Sequence, residues 1–157
     1  MGNICRSPAA EGIAKKLSAK RGLEGKVEID SAGTLDYHTG ESPDSRMIKH
    51  ASKRGYSLDS KARQFKPEKD FEHFDYIITM DNDNYSEIIS LDKRNQFADK
   101  VFKMVSFGNK IKADEVPDPY YSGSDGFEYV LDILEDSIEG LLNRVEDDIR
   151  RENKKAD

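Results

Sequence analysis

A five-residue stretch without a charge, Tyr76-Ile77-Ile78-Thr79-Met80, stands out in a chain of which 36% is charged. A continuous apolar run this short reads as a strand buried on both faces, as in parallel sheets. Asp81-Asn82-Asp83-Asn84 follows at once and caps a helix running toward Leu91. Lys100 to Val105 repeats the strand pattern. Val27 to Gly33 alternates with period two and ends in glycine, so it too predicts a strand. Helices are expected between these runs. Ser7-Pro8 reads as an N-cap with proline at the first helical position, opening a helix that stops near Arg21-Gly22. Ile13 and Leu17 lie four apart on its apolar face. A Gly/Pro loop around Gly40 to Pro43 precedes a helix from Asp44 to Lys53, closed by Arg54-Gly55. Asp125-Gly126 leads into a long amphipathic helix with Phe127, Val130, Leu131, Leu134, Ile138, Leu141, Leu142 and Val145 on one side. The charged tail from Arg150 is expected to fray. Strands alternating with helices predict an α/β fold, a three-layer sandwich around a short parallel sheet. No repeat and no composition shift divides residues 1–157, so a single domain is expected.

Charge narrows the function. The net charge of −6 argues against a nucleic-acid or membrane-surface binder, either of which needs clustered positive charge. A single cysteine makes no internal disulfide and fits a reducing compartment, with cytoplasm as the expected location. His38, His50 and His73 are scattered, which predicts no metal centre.

Four motifs carry candidate chemistry. Met1-Gly2-Asn3-Ile4-Cys5-Arg6-Ser7-Pro8 is a small polar loop running into a helix. Such a loop aims backbone N–H groups and the helix dipole at an anion, and Arg6 can fork onto two phosphate oxygens. Gly2 lets the backbone curl, and Asn3 tolerates a left-handed conformation. Val116-Pro117-Asp118-Pro119-Tyr120-Tyr121 fixes an aspartate between two prolines, the positioning a general acid needs, beside two tyrosines that can wall a substrate ring. Ser31 and Tyr37 lie near one strand end and Asp81 at another, where each can brace the loop or line its mouth. Taken alone, each motif also reads blandly: a loose N-terminus, a proline turn, a glycine turn and an N-cap.

Together the motifs resemble the low-molecular-weight protein-tyrosine phosphatase family. Its pattern is a strand, then Cys-x-Gly-Asn-Ile-Cys-Arg-Ser-Pro, with Asp-Pro-Tyr-Tyr about a hundred residues later. Gly2 to Glu11, Asp30-Ser31-Ala32-Gly33-Thr34, Ala62-Arg63-Gln64, Phe74-Asp75-Tyr76-Ile77, Met80-Asp81, Asp118-Pro119-Tyr120-Tyr121, Gly126-Phe127-Glu128 and Leu134-Glu135-Asp136 match it in order. The resemblance implies a phosphatase I-like (flavodoxin-like) fold and two-step phosphoryl transfer from phosphotyrosine in a protein or peptide. In it a cysteine thiolate attacks phosphorus. Arg6 and the amides of Gly2, Asn3, Ile4, Cys5, Arg6 and Ser7 hold the phosphate, and Asp118 acts as acid and then as base. Ser7 matches a hydrogen-bond donor to the thiolate. Asn3, Ser31 and Asp81 match loop support, and Tyr37, Tyr120 and Tyr121 match the cleft walls. Ile4 matches the tyrosine-selective branch. No cofactor is implied; inorganic phosphate is the expected product.

The family's nucleophile would stand six positions before Arg6, immediately ahead of Met1, at the end of a central strand. The expectation is a chain truncated at its N-terminus, lacking the first central strand, with that strand's two neighbours left with unpaired backbone groups, and inactive in this form. Cys5, one residue before the arginine, is not placed for in-line attack. The alternatives are a non-catalytic phosphate-binding module of the same fold and, disfavoured by the lone cysteine, an arsenate reductase.

Overall fold

Proline at a helix start and acidic N-caps set several helix boundaries in the computed structural model, which describes residues 1–157. Helix α1 spans Arg6–Lys20, α2 Ser45–Lys53, α3 Pro67–His73, α4 Asn82–Leu91 and α5 Ser124–Ala156, with strands β1 Ile77–Thr79 and β2 Val101–Lys103. Asp44 accepts from the Arg46 N–H and caps α2, and Asp81 accepts from the Asn84 N–H and caps α4. Pro67 opens α3, a helix the sequence reading did not anticipate.

β1 and β2 pair in parallel, with Ile77 opposite Val101 and Thr79 opposite Lys103. β1 turns one face to each of two apolar clusters. Ile77 and Val101 pack with Phe71 of α3 and Ile88 of α4. On the opposite face Ile78 packs against the larger cluster, which joins Ile13 of α1, Met47 of α2 and Leu131, Leu134 and Ile138 of α5. Helices thus cover both faces of a small parallel sheet, giving the expected α/β layering.

Three local expectations differ from what is found. Residues 27–32 are extended but form no ladder, and Gly33 makes one isolated parallel bridge with Gln64. The alternation of Val27 and Ile29 with acidic residues is real, yet a strand exists only where a partner backbone takes up its N–H and C=O groups. Helix α1 begins at Arg6 with Cys5 as the cap position, so Ser7 lies in its first turn and its hydroxyl serves the preceding loop instead. Residues 150–156, expected to fray, continue α5, with acidic and basic residues paired across one turn, such as Arg150 with Glu146 and Asp147.

Candidate active site

The site gathers at the carboxyl end of β1, around the loop that feeds α1. Asn3 holds this loop in shape. Its φ is 60°, the left-handed region that Asn enters more readily than most residues. Its Nδ2 donates to Ser7 Oγ at 2.7 Å and to Ser31 Oγ at 2.9 Å, while its Oδ1 accepts from the Arg63 N–H at 3.2 Å. Ser31 Oγ in turn donates to Glu11 Oε2 at 2.5 Å, and Lys15 donates to Glu11 Oε1 at 2.6 Å. Gly33 allows the closest approach, since a Cβ there would collide with the Met1 carbonyl oxygen. Asn3 and Ser31, both expected at the loop, are thus brought together, and Ser7, expected as a donor to a thiolate, joins them as an acceptor. Glu11 is an unanticipated member; its one signal was a lone carboxylate among alanines on the buried side of α1.

The amide N–H groups of residues 2–7 donate to no other protein group. Six successive free donors at a helix N-terminus, beside the positive φ of Asn3, are what an anion cradle requires.

Arg6 is buried, with 6% of its surface exposed. Its Nη1 donates to Asp81 Oδ2 at 2.6 Å and to the Val116 carbonyl at 2.9 Å. Burial alone would raise the Asp81 carboxyl, but the Asn84 N–H and the Arg6 guanidinium outweigh it and hold Asp81 below the usual carboxylate range. Asp81 is thus both an N-cap and the brace that orients Arg6. The Val116 N–H donates to the Met80 carbonyl at 2.8 Å, which ties the proline loop to the end of β1. No sequence signal marked the Val116 carbonyl, because any residue type supplies one.

Asp118 sits above Arg6, with Oδ2 at 3.8 Å from Arg6 Nη2 and a side chain 41% exposed. Buried Pro119 anchors it, and its Oδ1 accepts from the Tyr120 N–H at 3.0 Å. Tyr37 and Tyr121 are exposed and Tyr120 is half-exposed, and all three line the same cavity as the loop, in volume about 600 Å³. Arg46, also unanticipated, lies 5.2 Å from the centre of the Tyr120 ring and 5.0 Å from that of Phe127, and so fixes one wall.

Cys5 is buried, and its thiol is pushed up to about 12, first by burial and then by the Asp44 and Asp118 carboxylates. Burial thus disfavours its thiolate, the nucleophilic form. No group of three or more His, Cys, Asp or Glu side chains is placed to hold a metal ion. No helix is long and apolar enough to cross a membrane.

A run of free amides, a braced buried arginine and a carboxylate between prolines, at the carboxyl end of a parallel strand, are the features a phosphate-ester site requires. The model of the low molecular weight phosphotyrosine protein phosphatases matches residues 1–153. A Synechocystis protein described as a low molecular weight protein-tyrosine-phosphatase is 50% identical over 90% of each chain. The crystal structure of a protein tyrosine phosphatase from Entamoeba histolytica superposes with a TM-score of 0.90 at 50% identity, covering 94% of this chain and 93% of its own. A Drosophila arginine phosphatase has a TM-score of 0.84 at 30% identity, covering 92% of this chain and 93% of its own. The chain belongs to the low molecular weight phosphotyrosine protein phosphatase family.

Proposed function

We propose that this site hydrolyses phosphotyrosine in proteins or peptides through a phosphocysteine intermediate. The observation that carries the reading is the posture of Arg6. Asp81 and Val116 occupy Nη1 and set the plane of the guanidinium, leaving Nη2 for a phosphate oxygen at a point 3.8 Å from the Asp118 carboxylate. In the first step the thiolate attacks phosphorus. The ester oxygen leaves with its electron pair and takes a proton from Asp118. In the second step Asp118, now ionised, takes a proton from water as that water attacks phosphocysteine, releasing inorganic phosphate and the thiolate. Arg6 and the amides of residues 2–7 stabilise the charge on the equatorial oxygens throughout. The apolar Ile4 beside the cradle and the tyrosine walls favour an aromatic ester over phosphoarginine. Cytoplasmic phosphoproteins are the substrate class in this reading.

Within residues 1–157 the one thiol is Cys5, held neutral and buried. That observation favours a second reading for this polypeptide by itself, a phosphate binder without turnover. One experiment separates the two. The 157-residue chain should bind inorganic phosphate and vanadate by calorimetry and leave p-nitrophenyl phosphate intact. The same chain preceded by an apolar strand ending in cysteine should hydrolyse it with a burst of p-nitrophenol, and serine in place of that cysteine should abolish the burst. Turnover by the 157-residue chain that persists in Cys5→Ser would overturn the phosphocysteine mechanism.

A further inference from the structure

Helix α2 starts at the phosphate loop and carries a row of cations away from it. The Asp44 N–H donates to the Ile4 carbonyl at 2.7 Å, and the Asp44 side chain caps α2 and pairs with Arg46. Arg46 leans on the ring of Tyr120, one wall of the cavity. Lys49 and Lys53 follow along the helix, and at 3.6 residues per turn the three cations fall within about 60° of one another around the axis. All three are exposed, while Met47 and Ala51 turn the other side of α2 into the core. The charge of Arg46 is met by Asp44. The α5 carboxylates that reach α2 are Glu128, Asp132 and Glu135, and they are taken by His50 and Arg54. Lys49 and Lys53 have no carboxylate partner and stand one turn apart, a like-charged pair that repels within the helix.

We propose that this stripe docks the acidic flank of a phosphotyrosine peptide, a run of Asp or Glu a few residues from the phosphotyrosine. The inference rests on phosphotyrosine binding at Arg6, as proposed above, and adds the flanking sequence that the protein selects. Three observations choose this occupant. First, placement: the start of α2 is tied both to the loop and to the Tyr120 wall, so a chain that leaves the cavity past Tyr120 meets the stripe. Second, reach: at 1.5 Å per helical residue, Lys49 and Lys53 lie about 4.5 and 10.5 Å beyond Arg46 along the axis. An extended peptide advances about 3.3 Å per residue, which brings carboxylates roughly two to five positions from the phosphotyrosine alongside them. Third, charge: the chain carries a net −6, so an acidic segment is repelled by most of its surface and attracted where cations stand uncompensated. A lysine ammonium is a strongly hydrated point charge on a flexible stem, suited to a carboxylate and not to an apolar segment.

The test is fluorescence anisotropy of the 157-residue chain with fluorescein-labelled peptides that carry a non-hydrolysable difluoromethylphosphonate in place of the phosphotyrosine ester. Four peptides share this centre and differ in the flank: glutamates before it, glutamates after it, alanines, or lysines. One of the two glutamate peptides should bind about fivefold more tightly than the alanine peptide at about 50 mM salt, and within about twofold of it at about 0.5 M. Lys49→Gln with Lys53→Gln should remove that preference, and Lys49→Glu with Lys53→Glu should reverse it in favour of the lysine peptide. Inorganic phosphate should bind the glutamine variant about as tightly as the parent chain, which reports an intact loop. Lys93→Gln with Arg94→Gln removes the same charge outside the cavity and should keep the preference. Equal binding of the glutamate and alanine peptides, a preference that survives Lys49→Gln with Lys53→Gln, or an equal loss in the Lys93 and Arg94 variant would overturn this inference and leave the phosphate site standing. So would a glutamate peptide that binds as tightly without its phosphonate. Failure of every phosphonate peptide to bind would instead remove the reading of the site, and this inference with it.

Discussion

Two arginines in different surroundings show how a cation with donors to spare differs from a structural one. Arg54, at the end of α2, pairs with Glu128, Asp132 and Glu135 of α5, and it donates to the Glu128 backbone as well. Burial works against its charge, yet those carboxylates raise it above its ordinary value. Its donors are spent inside the protein. Arg6 is more deeply buried, but Asp81 and the Val116 carbonyl both use Nη1. Nη2 has only Asp118, at a distance beyond a hydrogen bond. A buried guanidinium with donors to spare is stable only if an anion or water takes them. The fold tolerates that cost at one place and avoids it at the other. His50 completes the contrast: it stacks on Phe127 at 5.4 Å and bonds Glu128, so the surroundings of Arg54 are a closed network.

The largest effect that could break this comparison is on phosphate binding. Arg6→Met should lower phosphate affinity at least a hundredfold, since two charge-assisted hydrogen bonds at about 1.5–3 kcal/mol each are lost. Arg54→Met should leave that affinity unchanged and lower unfolding stability by about 1–2 kcal/mol, because partly exposed ion pairs contribute little individually. Calorimetry with inorganic phosphate and urea unfolding of both variants read the two effects separately. Equal loss of phosphate affinity in both would show that the closed network also shapes the loop.

Asn3 comes next. Asn3→Ala removes three hydrogen bonds and places a Cβ-bearing residue without a polar side chain at φ 60°. A loss of about 4 kcal/mol is expected from lost bonds at roughly 1 kcal/mol each plus left-handed strain. Asn3→Gly relieves the strain but not the lost bonds, so it should recover about 1 kcal/mol of stability and little phosphate affinity. If glycine restored binding fully, backbone curl rather than the Asn3–Ser31–Glu11 network would hold the cradle.

Much of this site was legible because its chemistry demands particular residue types. A left-handed loop position favours Asn, an anion demands Arg, and a proline-flanked carboxylate stands out from the charged surface. What stayed hidden is chemistry any residue can supply, such as the Val116 carbonyl, or contacts between distant segments, such as Glu11 with Ser31 and Arg46 with Tyr120. In the fold, β1 and β2 were legible as uncharged or apolar runs and α5 as an amphipathic stripe. Residues 27–33 carried the alternation of a strand, but pairing is a property of two segments and cannot be read from one. Helix α3 was overlooked although Pro67, Glu68 and Asp70 formed an ordinary helix start.

Asp118 offers a smaller change of opposite sign. Its carboxylate is largely exposed and repels an anion bound at Arg6, so Asp118→Asn should tighten inorganic phosphate binding a fewfold and leave the unfolding midpoint almost unchanged. In a cysteine-bearing extended chain the same substitution should slow phenyl phosphate hydrolysis by about a hundredfold or more, the usual span of general acid catalysis. Tighter product binding with slower turnover is a pairing that a merely structural aspartate would not produce.

The two regions also differ in how pH acts on them. Asp81 is held below its ordinary value in the folded state. Its contribution is therefore fully present above the unfolded carboxylate pKa of about 3.9, and is lost as pH falls through its lower folded value. Away from the loop the sign reverses. Burial, and then hydrogen bonds to Glu135 and Asp148, push Tyr56 and Tyr76 up to about 12. Neutral tyrosine is the form the fold holds, so their contribution persists below the unfolded pKa of about 10 and disappears as pH rises from there toward 12. Tyr56→Phe with Tyr76→Phe should flatten the fall of the urea midpoint between pH 10 and 12 and leave the acid limb alone, whereas Asp81→Asn should do the reverse. Cys5 loses its proton in the same alkaline range. The double phenylalanine variant should therefore keep a residual slope, which Cys5→Ala removes; a slope unchanged by all three substitutions would place the alkaline sensitivity outside these buried acids.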